Sequence, residues 1–250
     1  MRLKDKVAIV TGGSQGIGEA ISRRYAREGA RVAIVNRRAA LAASVVESIK
    51  ADGGEAQAFP ADITKVQEIY RVVAEVTRVW GGVDILVNNA GTYIVTPAET
   101  TTEQDWQTMM DTNLKAVFFC CQAVIPEFRK RNKGKIINLG SIFGNDGFPM
   151  SSAYCATKGA IVLLTKTLCL ELRDQNINVN SLAPGYIRTQ MNVALQNDEG
   201  FNTMSFGRFG GKNVWMQPDE LTGAAVFLAS ADSDSVNGTT LFVDRGWAAY

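Results

Sequence analysis

The 250-residue sequence contains no histidine, and this absence excludes several kinds of active site. Without an imidazole the chain cannot build a Ser-His-Asp or Cys-His catalytic apparatus, or a metal site with histidine ligands, and we predict no metal site. An excess of one charge is also missing, because 26 Lys and Arg stand against 25 Asp and Glu. The sequence therefore predicts no binding surface for nucleic acid or for an anionic membrane.

Cysteines and long apolar runs are few. The four cysteines form no Cys-x-x-Cys pair and lie in apolar helical segments, which is typical of buried thiols in a reducing compartment. The apolar stretch 7–10 is too short for a signal peptide. The longest apolar segment, 161–170, is interrupted by polar residues before it reaches the roughly 20 residues of a membrane span. We therefore predict a cytoplasmic protein with no membrane segment.

Short runs rich in β-branched residues alternate with longer segments of helical period. The short runs are 7–10, 32–35, 85–87, 136–139, 179–182 and 241–243. The helical segments are 17–28, 39–51, 65–80, 103–128 and 153–173. Continuous apolar strands alternating with helices predict an α/β fold, with a parallel sheet covered by helices on both faces. No composition break divides the chain, so we predict a single domain over 1–250.

Segment 185–216 departs from this rhythm, because several glycines interrupt its weak helical patterns. Long irregular segments are often functional, and we predict a lid over a ligand site here. A variable surface loop is the alternative.

A glycine-rich turn follows the first strand and opens the first helix, with the spacing Gly12-x-x-x-Gly16-x-Gly18. Gly12 would make the tight turn, Gly16 would let backbone N–H groups approach a pyrophosphate, and Gly18 would let the helix pack closely on the strand. The pattern is neither Gly-x-Gly-x-x-Gly nor a Walker loop. It indicates a dinucleotide site, with a turn that binds no ligand as the alternative.

The second strand ends at Asn36-Arg37-Arg38, where a dinucleotide fold recognises the adenosine ribose. An Asp or Glu at that point would accept a hydrogen bond from the 2′-hydroxyl of NAD, whereas two guanidinium groups suit a 2′-phosphate. NADP is therefore favoured over NAD. The alternative is a pair of solvated arginines.

Tyr154 and Lys158 are four residues apart in a helical segment, so they share one face. A nearby ammonium favours the phenolate, and we expect it to lower the Tyr154 pKa toward a value useful for acid-base catalysis. Such pairs also occur by chance on exposed helix faces. Ser141 follows the strand at 135–139, on the sheet edge where open α/β folds bind ligands, and its hydroxyl could polarise a substrate oxygen.

Two asparagine positions complete the candidate site. Asn113 lies inside the helical segment 103–128, where an amide is unfavourable unless it has a local task, such as a kink that holds a water toward Lys158. An exposed polar position is the alternative. Asn88-Asn89-Ala90-Gly91 ends a strand and would bridge neighbouring strands or line the cofactor.

Together these motifs resemble the short-chain dehydrogenase/reductase family, in its classical subgroup, over essentially the whole chain. The match also includes Asp62 and Pro184-Gly185 followed by Thr189. The resemblance implies a three-layer Rossmann fold with a seven-stranded parallel sheet, and hydride transfer between NAD(P) and a carbonyl or secondary alcohol.

The resemblance also implies a role for each position. Tyr154 would be the acid-base, Ser141 would steady the substrate oxygen, Lys158 would bind the nicotinamide ribose and acidify Tyr154, and Asn113 would hold a relay water. The remaining cofactor contacts implied are Gly12, Ser14, Gln15, Gly16, Ile17, Gly18, Asn36, Arg37, Arg38, Asp62, Ile63, Asn89, Ala90, Gly91, Pro184, Gly185, Ile187 and Thr189.

Two positions depart from the family pattern. Gln15 stands where many NADP-preferring members carry a basic residue, and Arg245 stands where relatives usually have glycine. The C-terminal segment resembles that of members similar to gluconate 5-dehydrogenase and to the 3-oxoacyl-carrier-protein reductases. The resemblance implies a homotetramer, or a dimer, paired through the helices that contain Asn113 and Tyr154.

We therefore predict an NADP-preferring oxidoreductase, with NAD as the alternative cofactor, that interconverts a ketone and a secondary alcohol on a small polar molecule. Sugar derivatives are among the candidate substrates. A 3-oxoacyl-carrier-protein reductase is the alternative within the same chemistry, although its acidic partner would need more basic surface than Arg129, Lys130 and Arg131 provide. A dinucleotide-binding redox sensor without catalytic activity is the alternative from another class.

Overall fold

The computed structural model describes residues 1–207 and 213–249. Its strands are β1 (Val7–Thr11), β2 (Arg31–Asn36), β3 (Glu55–Pro60), β4 (Ile85–Asn88), β5 (Gly134–Leu139), β6 (Ile177–Pro184) and β7 (Thr240–Val243). Its helices are α1 (Gly16–Arg27), α2 (Ala39–Ala51), α3 (Val66–Trp80), α4 (Glu103–Met110), α5 (Ala116–Arg131), α6 (Ser152–Leu172), α7 (Glu199–Gly207) and α8 (Thr222–Ala229).

All seven strands pair in parallel in one sheet of order β3-β2-β1-β4-β5-β6-β7. The predicted seven-stranded parallel Rossmann sheet is therefore confirmed. The chain begins in the middle of the sheet at β1, builds outward to β3, and crosses back to place β4 on the other side of β1. This reversal opens a crevice between the carboxyl ends of β1 and β4, where open α/β sheets bind ligands.

Two apolar layers cover the two faces of the sheet. Because successive strand residues point to opposite faces, Val7 and Ile9 of β1 join one core, with side chains of α3, α5 and α6, and Ala8 and Val10 join the other, with α1, α2 and α8. All four of these strand residues are at most 2% exposed. Burial on both faces explains why the central strands have continuous apolar sequences.

The segment predicted as one helix over 103–128 is interrupted. A π-helical turn, Asp111–Lys115, separates α4 from α5. A π turn inserts one residue into the helical repeat and is frequent at functional sites, and here it contains Asn113. The segment predicted as one helix is therefore two helices joined by a π turn at this asparagine.

Helix α6, extended to residues 152–175, is long and apolar enough to cross a membrane by length and composition, with a mean hydropathy of 1.3 and 33% of that window buried. The sequence does not predict a membrane span here, because polar residues interrupt the apolar segment 161–170. In the structure Ile161 and Leu168 of α6 are packed in the core against β6 residues. Core helices pass the same length test, so α6 is weak support for a membrane span.

All four cysteines are free thiols. Cys120 and Cys121 are buried as predicted, whereas Cys155 and Cys169 are half-buried. Burial raises the pKa of the Cys120 and Cys121 thiols, so neither is a reactive thiolate at neutral pH.

Candidate active site

A cavity of about 580 Å³ opens at the carboxyl ends of the strands. Most of the predicted site residues line it, namely Gly12, Gln15, Gly16, Ile17, Asn36, Arg37, Arg38, Asp62, Ile63, Asn89, Ala90, Gly91, Ser141, Tyr154, Lys158, Pro184, Gly185, Ile187 and Thr189. Ser14, Gly18 and Asn113 are among the predicted residues but do not line the cavity. These three support residues that do.

The glycine turn between β1 and α1 has a conformation that favours glycine. Gly12 and Gly16 have φ values of 63° and 53°, a region that side chains rarely adopt. Gly18 is needed for close approach instead, since a Cβ there would lie 2.3 Å from both the Gly12 carbonyl oxygen and the Asn89 side-chain nitrogen. The turn is thus folded tightly against the β4 end, with its N–H groups at the start of α1, where an anion is favoured.

We predict that Gly18→Ala lowers the free energy of unfolding by about 1–3 kcal/mol, because backbone atoms must move to admit the methyl group. Gly223→Ala is the matched control, since a Cβ at Gly223 in α8 meets nothing within 4 Å. Urea unfolding of both variants checks the prediction. Equal stability of the two would contradict the close approach at Gly18.

Asn88 and Asn89 fix the β4 side of the crevice, and both link it to a neighbouring strand, the first of their two predicted roles. The Asn88 Nδ2 donates to Asn138 Oδ1 of β5 at 2.9 Å, which ties two strands together in the core. The Asn89 Nδ2 donates to the carbonyl oxygen of Thr11 at 2.9 Å, which ties the β4 end to the glycine turn. The two asparagines hold the floor of the cavity in place.

At the β2 end, polar contacts link the residues expected to recognise the ribose. Asn36 Nδ2 donates to Ser14 Oγ at 2.6 Å, and the Arg38 backbone N–H donates to Asn36 Oδ1 at 2.8 Å. The Arg38 guanidinium also hydrogen-bonds the Gln15 side chain. Gln15, the first departure from the family pattern, therefore holds Arg38 at the rim of the cavity.

Asp62 follows β3 on the same side of the cavity. Its carboxylate accepts hydrogen bonds from the Thr64 hydroxyl at 2.8 Å and the Thr64 backbone N–H at 3.1 Å. Partial burial acts to raise the Asp62 pKa, but these hydrogen bonds and the charges of Arg37 and Lys65 outweigh it, so the pKa is lowered. Asp62 is therefore ionised at neutral pH, with Arg37 near it.

Tyr154, Ser141 and Lys158 come together at the other end of the cavity. Ser141 caps a short 3-10 turn after β5, and its Oγ accepts the Phe143 backbone N–H at 3.1 Å. The same hydroxyl hydrogen-bonds the Tyr154 phenol. The Lys158 ammonium lies 5.6 Å from the centroid of the Tyr154 ring and donates to the Leu139 carbonyl oxygen at 2.6 Å. The predicted pair thus faces the cavity and is not an exposed helix surface.

The Tyr154 pKa shifts in the direction opposite to the one expected. Burial raises it, the hydrogen bond from Ser141 lowers it by less, and Tyr93 adds a further increase. Burial also lowers the Lys158 pKa to about 8. The loss of water around both groups outweighs the effect of the neighbouring cation, which alone would lower the Tyr154 pKa.

The Lys158 pKa implies a pH-dependent stability. Its folded pKa of about 8 lies below the ordinary 10.5, so between these values the unfolded chain binds more protons and stability rises with pH. We predict that Lys158→Met is more stable than the wild type below pH 8, by up to about 3 kcal/mol, and that the difference shrinks toward pH 10.5. Urea unfolding across this range checks the trend, with Lys166→Met on the exposed face of α6 as control.

Asn113 is 1% exposed, so it is not the exposed polar position that was the alternative. Its Oδ1 accepts the Thr92 backbone N–H at 2.8 Å, and its Nδ2 donates to the Thr92 carbonyl oxygen at 2.9 Å and to Thr157 Oγ1 at 3.3 Å. The π turn thus fixes the segment after β4 against α6. The relay water stays a prediction.

Backbone pairing joins the two ends of the predicted lid. Ile187 forms a parallel bridge with Met216, and the Met216 N–H donates to the Tyr186 carbonyl oxygen at 2.8 Å. A Cβ at Gly16 would lie 3.1 Å from the Thr189 side chain, which places the start of this segment over the glycine turn. Of the glycines in the predicted lid, Gly210 and Gly211 lie outside the described residues.

An aromatic cluster that was not predicted from the sequence lines the cavity beyond Tyr154. Its members are Tyr93, Phe143, Tyr186, Phe201 and Trp215. The Tyr93 and Tyr154 ring centroids are 4.5 Å apart, and those of Tyr186 and Trp215 are 5.5 Å apart. These residues come from five separate segments with no common spacing. Only the general aromatic content could have suggested them.

Arg245, the second departure, lies outside the cavity. Its backbone has a φ of 56°, which explains why glycine suits this position, and its guanidinium pairs with the Glu220 carboxylate at 2.9 Å. The residue therefore connects the end of β7 to the segment before α8.

Comparison with known proteins agrees with this geometry. The model of the short chain dehydrogenase family matches residues 6–200. The chain belongs to the short-chain dehydrogenase family. It is accordingly an oxidoreductase that acts on CH–OH groups.

Individual members of this family are similar over nearly their whole length. The 5-keto-D-gluconate 5-reductase of Escherichia coli K12 is 39% identical over 98% of this chain and 96% of its own. The 3-oxoacyl-[acyl-carrier-protein] reductase of Staphylococcus epidermidis is 39% identical over 97% of this chain and 98% of its own. The gluconate 5-dehydrogenase of Burkholderia cenocepacia, whose crystal structure holds NADP and tartrate, is 39% identical, with a TM-score of 0.94 over 100% of this chain and 97% of that one.

Proposed function

We propose that the protein uses NADP, in preference to NAD, to interconvert a ketone and a secondary alcohol, with Tyr154 as the general acid-base. The observation that carries this proposal is the arrangement of a single cavity. Tyr154, Ser141 and Lys158 gather at one end, and the glycine turn with Arg37 and Arg38 forms the other.

The residues at the β1 and β2 ends fit a dinucleotide with a 2′-phosphate. The glycine turn leaves no room for side chains and offers backbone N–H groups to a pyrophosphate. The β2 end carries Asn36 and two arginines at the point where an NAD site would have a carboxylate, and the Asp62 carboxylate of the β3 end lies near Arg37. Gly12, Gly16, Arg37 and Arg38 would hold the cofactor. The NADP named with the Burkholderia structure supports the choice.

Bound NADPH would supply the hydride, and the chain supplies the proton. Because burial raises the Tyr154 pKa, the phenol is protonated at neutral pH and can donate its proton to the carbonyl oxygen. Ser141, hydrogen-bonded to the same phenol, steadies that oxygen. The Lys158 ammonium near the ring stabilises the phenolate left behind. The protonated phenol is the form of Tyr154 that reduction requires.

A small polar substrate, including sugar derivatives, is supported by the names of two relatives, the keto-gluconate reductase and the gluconate dehydrogenase.

Segment 185–216 would act as the lid, since its ends are paired beside the cavity. We also propose that 1–250 form one domain, which is supported by the single sheet that contains every described strand.

The 3-oxoacyl-carrier-protein reductase alternative has the support of the Staphylococcus relative. The position of the basic residues that would bind the acyl carrier does not support this alternative. Arg129, Lys130 and Arg131 end α5 just before β5 begins, so they lie at the amino edge of the sheet, opposite the cavity. Lys130 also pairs with Glu127 at 2.6 Å, and Arg131 with Asp84 at 3.5 Å. This cluster is badly placed to deliver an acyl carrier to Tyr154.

We also propose a homo-oligomer, a tetramer or a dimer, in a reducing cytoplasm. Phe118 of α5 and Leu163 and Leu170 of α6 are 40%, 65% and 63% exposed, and such large apolar side chains favour a second copy on these helices. The free thiols suit the compartment.

A screen of carbonyl compounds with NADPH and with NADH tests the proposal. We expect loss of the reduced-nicotinamide absorbance with at least one ketone, and faster with NADPH. Tight NADPH binding without turnover on any ketone or alcohol would indicate the redox sensor instead.

A further inference from the structure

Aromatic side chains line the substrate end of the cavity. Centroid distances of 6.0 Å for Phe143 and Tyr186, 5.9 Å for Tyr186 and Phe201, and 6.3 Å for Phe201 and Trp215 make this cluster continuous. Met191 and Leu195 add aliphatic surface to the same wall. The wall therefore presents mainly carbon to whatever lies beside Tyr154.

Three polar residues of the lining, Tyr93, Asn192 and Trp215, have side-chain groups that are engaged with the protein. The Trp215 indole N–H donates to Asn202 Oδ1 at 3.0 Å, and the Tyr93 hydroxyl pairs with Ser151 Oγ at 2.7 Å. Asn192 lines the cavity, but its Nδ2 donates to the Ile187 carbonyl oxygen at 2.8 Å and its Oδ1 accepts the Thr189 N–H at 3.1 Å. A site that recognises several hydroxyl groups needs free donors and acceptors, and these groups are already paired.

The described lining residues place few charges near the rings. Among the described lining residues, the ionisable side chains that carry charge are Arg37, Arg38, Asp62 and Lys158. The first three lie at the carboxyl ends of β2 and β3, and the Lys158 ammonium is hydrogen-bonded to the Leu139 carbonyl oxygen. Arg188 does not line the cavity; its guanidinium lies 5.6 Å from the Trp215 ring and donates to Gln196 at 3.3 Å. A carboxylate placed against the described lining residues of this wall would lose water, and Arg188, the cation over the Trp215 ring, is already hydrogen-bonded to Gln196.

We infer that the site takes an uncharged ketone or secondary alcohol with a flat apolar face, such as an aryl group, in preference to a sugar acid. This inference rests on the proposed oxidoreductase function, but it replaces the small polar substrate suggested by the relatives' names with another substrate class. The ring faces bind the flat body by area and by ring-to-ring contact, while Tyr154 and Ser141 reach the single oxygen that reacts.

The test compares methyl 4-acetylbenzoate with the 4-acetylbenzoate anion, which share one ketone and differ in remote charge, and adds 5-keto-D-gluconate. We expect kcat/KM for NADPH-dependent reduction to be at least about tenfold higher for the ester, about 1.4 kcal/mol. An equal or higher value for either anion would overturn the inference.

A variant that adds a positive charge to the cavity lining tests whether the aromatic wall causes the preference for the uncharged substrate. Leu195→Arg puts a cation on the lining and is expected to move the ester-to-anion ratio about tenfold or more toward the anion. Val193→Arg adds the same charge nearby on a residue that is 51% exposed and does not line the cavity, and should leave the ratio within about twofold. An unchanged ratio in Leu195→Arg would show that the substrate body lies elsewhere.

Failure of the proposed function is a separate outcome. If no ketone is turned over, equilibrium binding of the ester and the anion, followed by tryptophan fluorescence with NADPH present, still ranks the two. Tighter binding of the ester without turnover would refute the enzymatic function and keep the preference for uncharged ligands. Tighter binding of the anion would refute the preference.

Discussion

Tyr154→Phe is expected to lower kcat for ketone reduction by about 100- to 10,000-fold, the usual contribution of a general acid. The variant removes only the proton donor, because the ring that packs against Tyr93 is retained. Cofactor binding should change little, since the glycine turn and the β2 end are untouched. Stopped-flow kinetics with NADPH and equilibrium titration of NADPH measure the two quantities separately.

Tyr70→Phe is the matched control for this experiment. It makes the same chemical change on α3, at a side chain that is 43% exposed, hydrogen-bonds Gln122 and does not line the cavity. Its kcat should equal that of the wild type. A Tyr154→Phe enzyme with wild-type kcat would remove Tyr154 from the chemistry and leave the fold assignment intact.

Whether a strand could be predicted from the sequence depended on how completely the sheet buries it. The central strands are covered on both faces, so their apolar runs are continuous and easily recognised. Strand β3 lies at the sheet edge and alternates between exposed residues, such as Glu55 and Gln57, and buried ones, such as Ala56 and Phe59. A search for continuous apolar runs could not find it, and only the family resemblance indicated a seventh strand.

Local motifs predicted much of the cavity, because the glycine turn and the Tyr154 and Lys158 pair each lie within one element. Contacts between distant segments were not predictable in the same way. Asn113 hydrogen-bonds Thr92 and Thr157, and the Tyr93 ring lies beside the Tyr154 ring. These contacts form only when separate elements of the fold pack together. The Tyr154 pKa was mispredicted for the same reason, since its direction is set by burial, which the spacing of two residues does not reveal.

Replacing both Arg37 and Arg38 with alanine is expected to reduce the preference for NADP over NAD, measured as the ratio of kcat/KM values, by about 10- to 150-fold. The estimate follows from about 1.5–3 kcal/mol for a hydrogen bond to a charged group in this position. Most of the loss should come from NADP, because NAD has no 2′-phosphate for the guanidinium groups to bind. The kcat with saturating NADPH should stay close to that of the wild type, since Tyr154 is at the other end of the cavity.

The control for this double variant is Arg27→Ala, which removes a guanidinium that pairs with Asp52 and does not line the cavity. It tests whether net charge alone changes the preference, because long-range attraction of the more anionic NADP would fall in both variants and would weaken with salt. An equal loss in Arg27→Ala would assign the preference to the general field. Wild-type enzyme that uses NAD as efficiently as NADP would show that the β2 end, with Asn36 in place of a carboxylate, does not discriminate between the two cofactors.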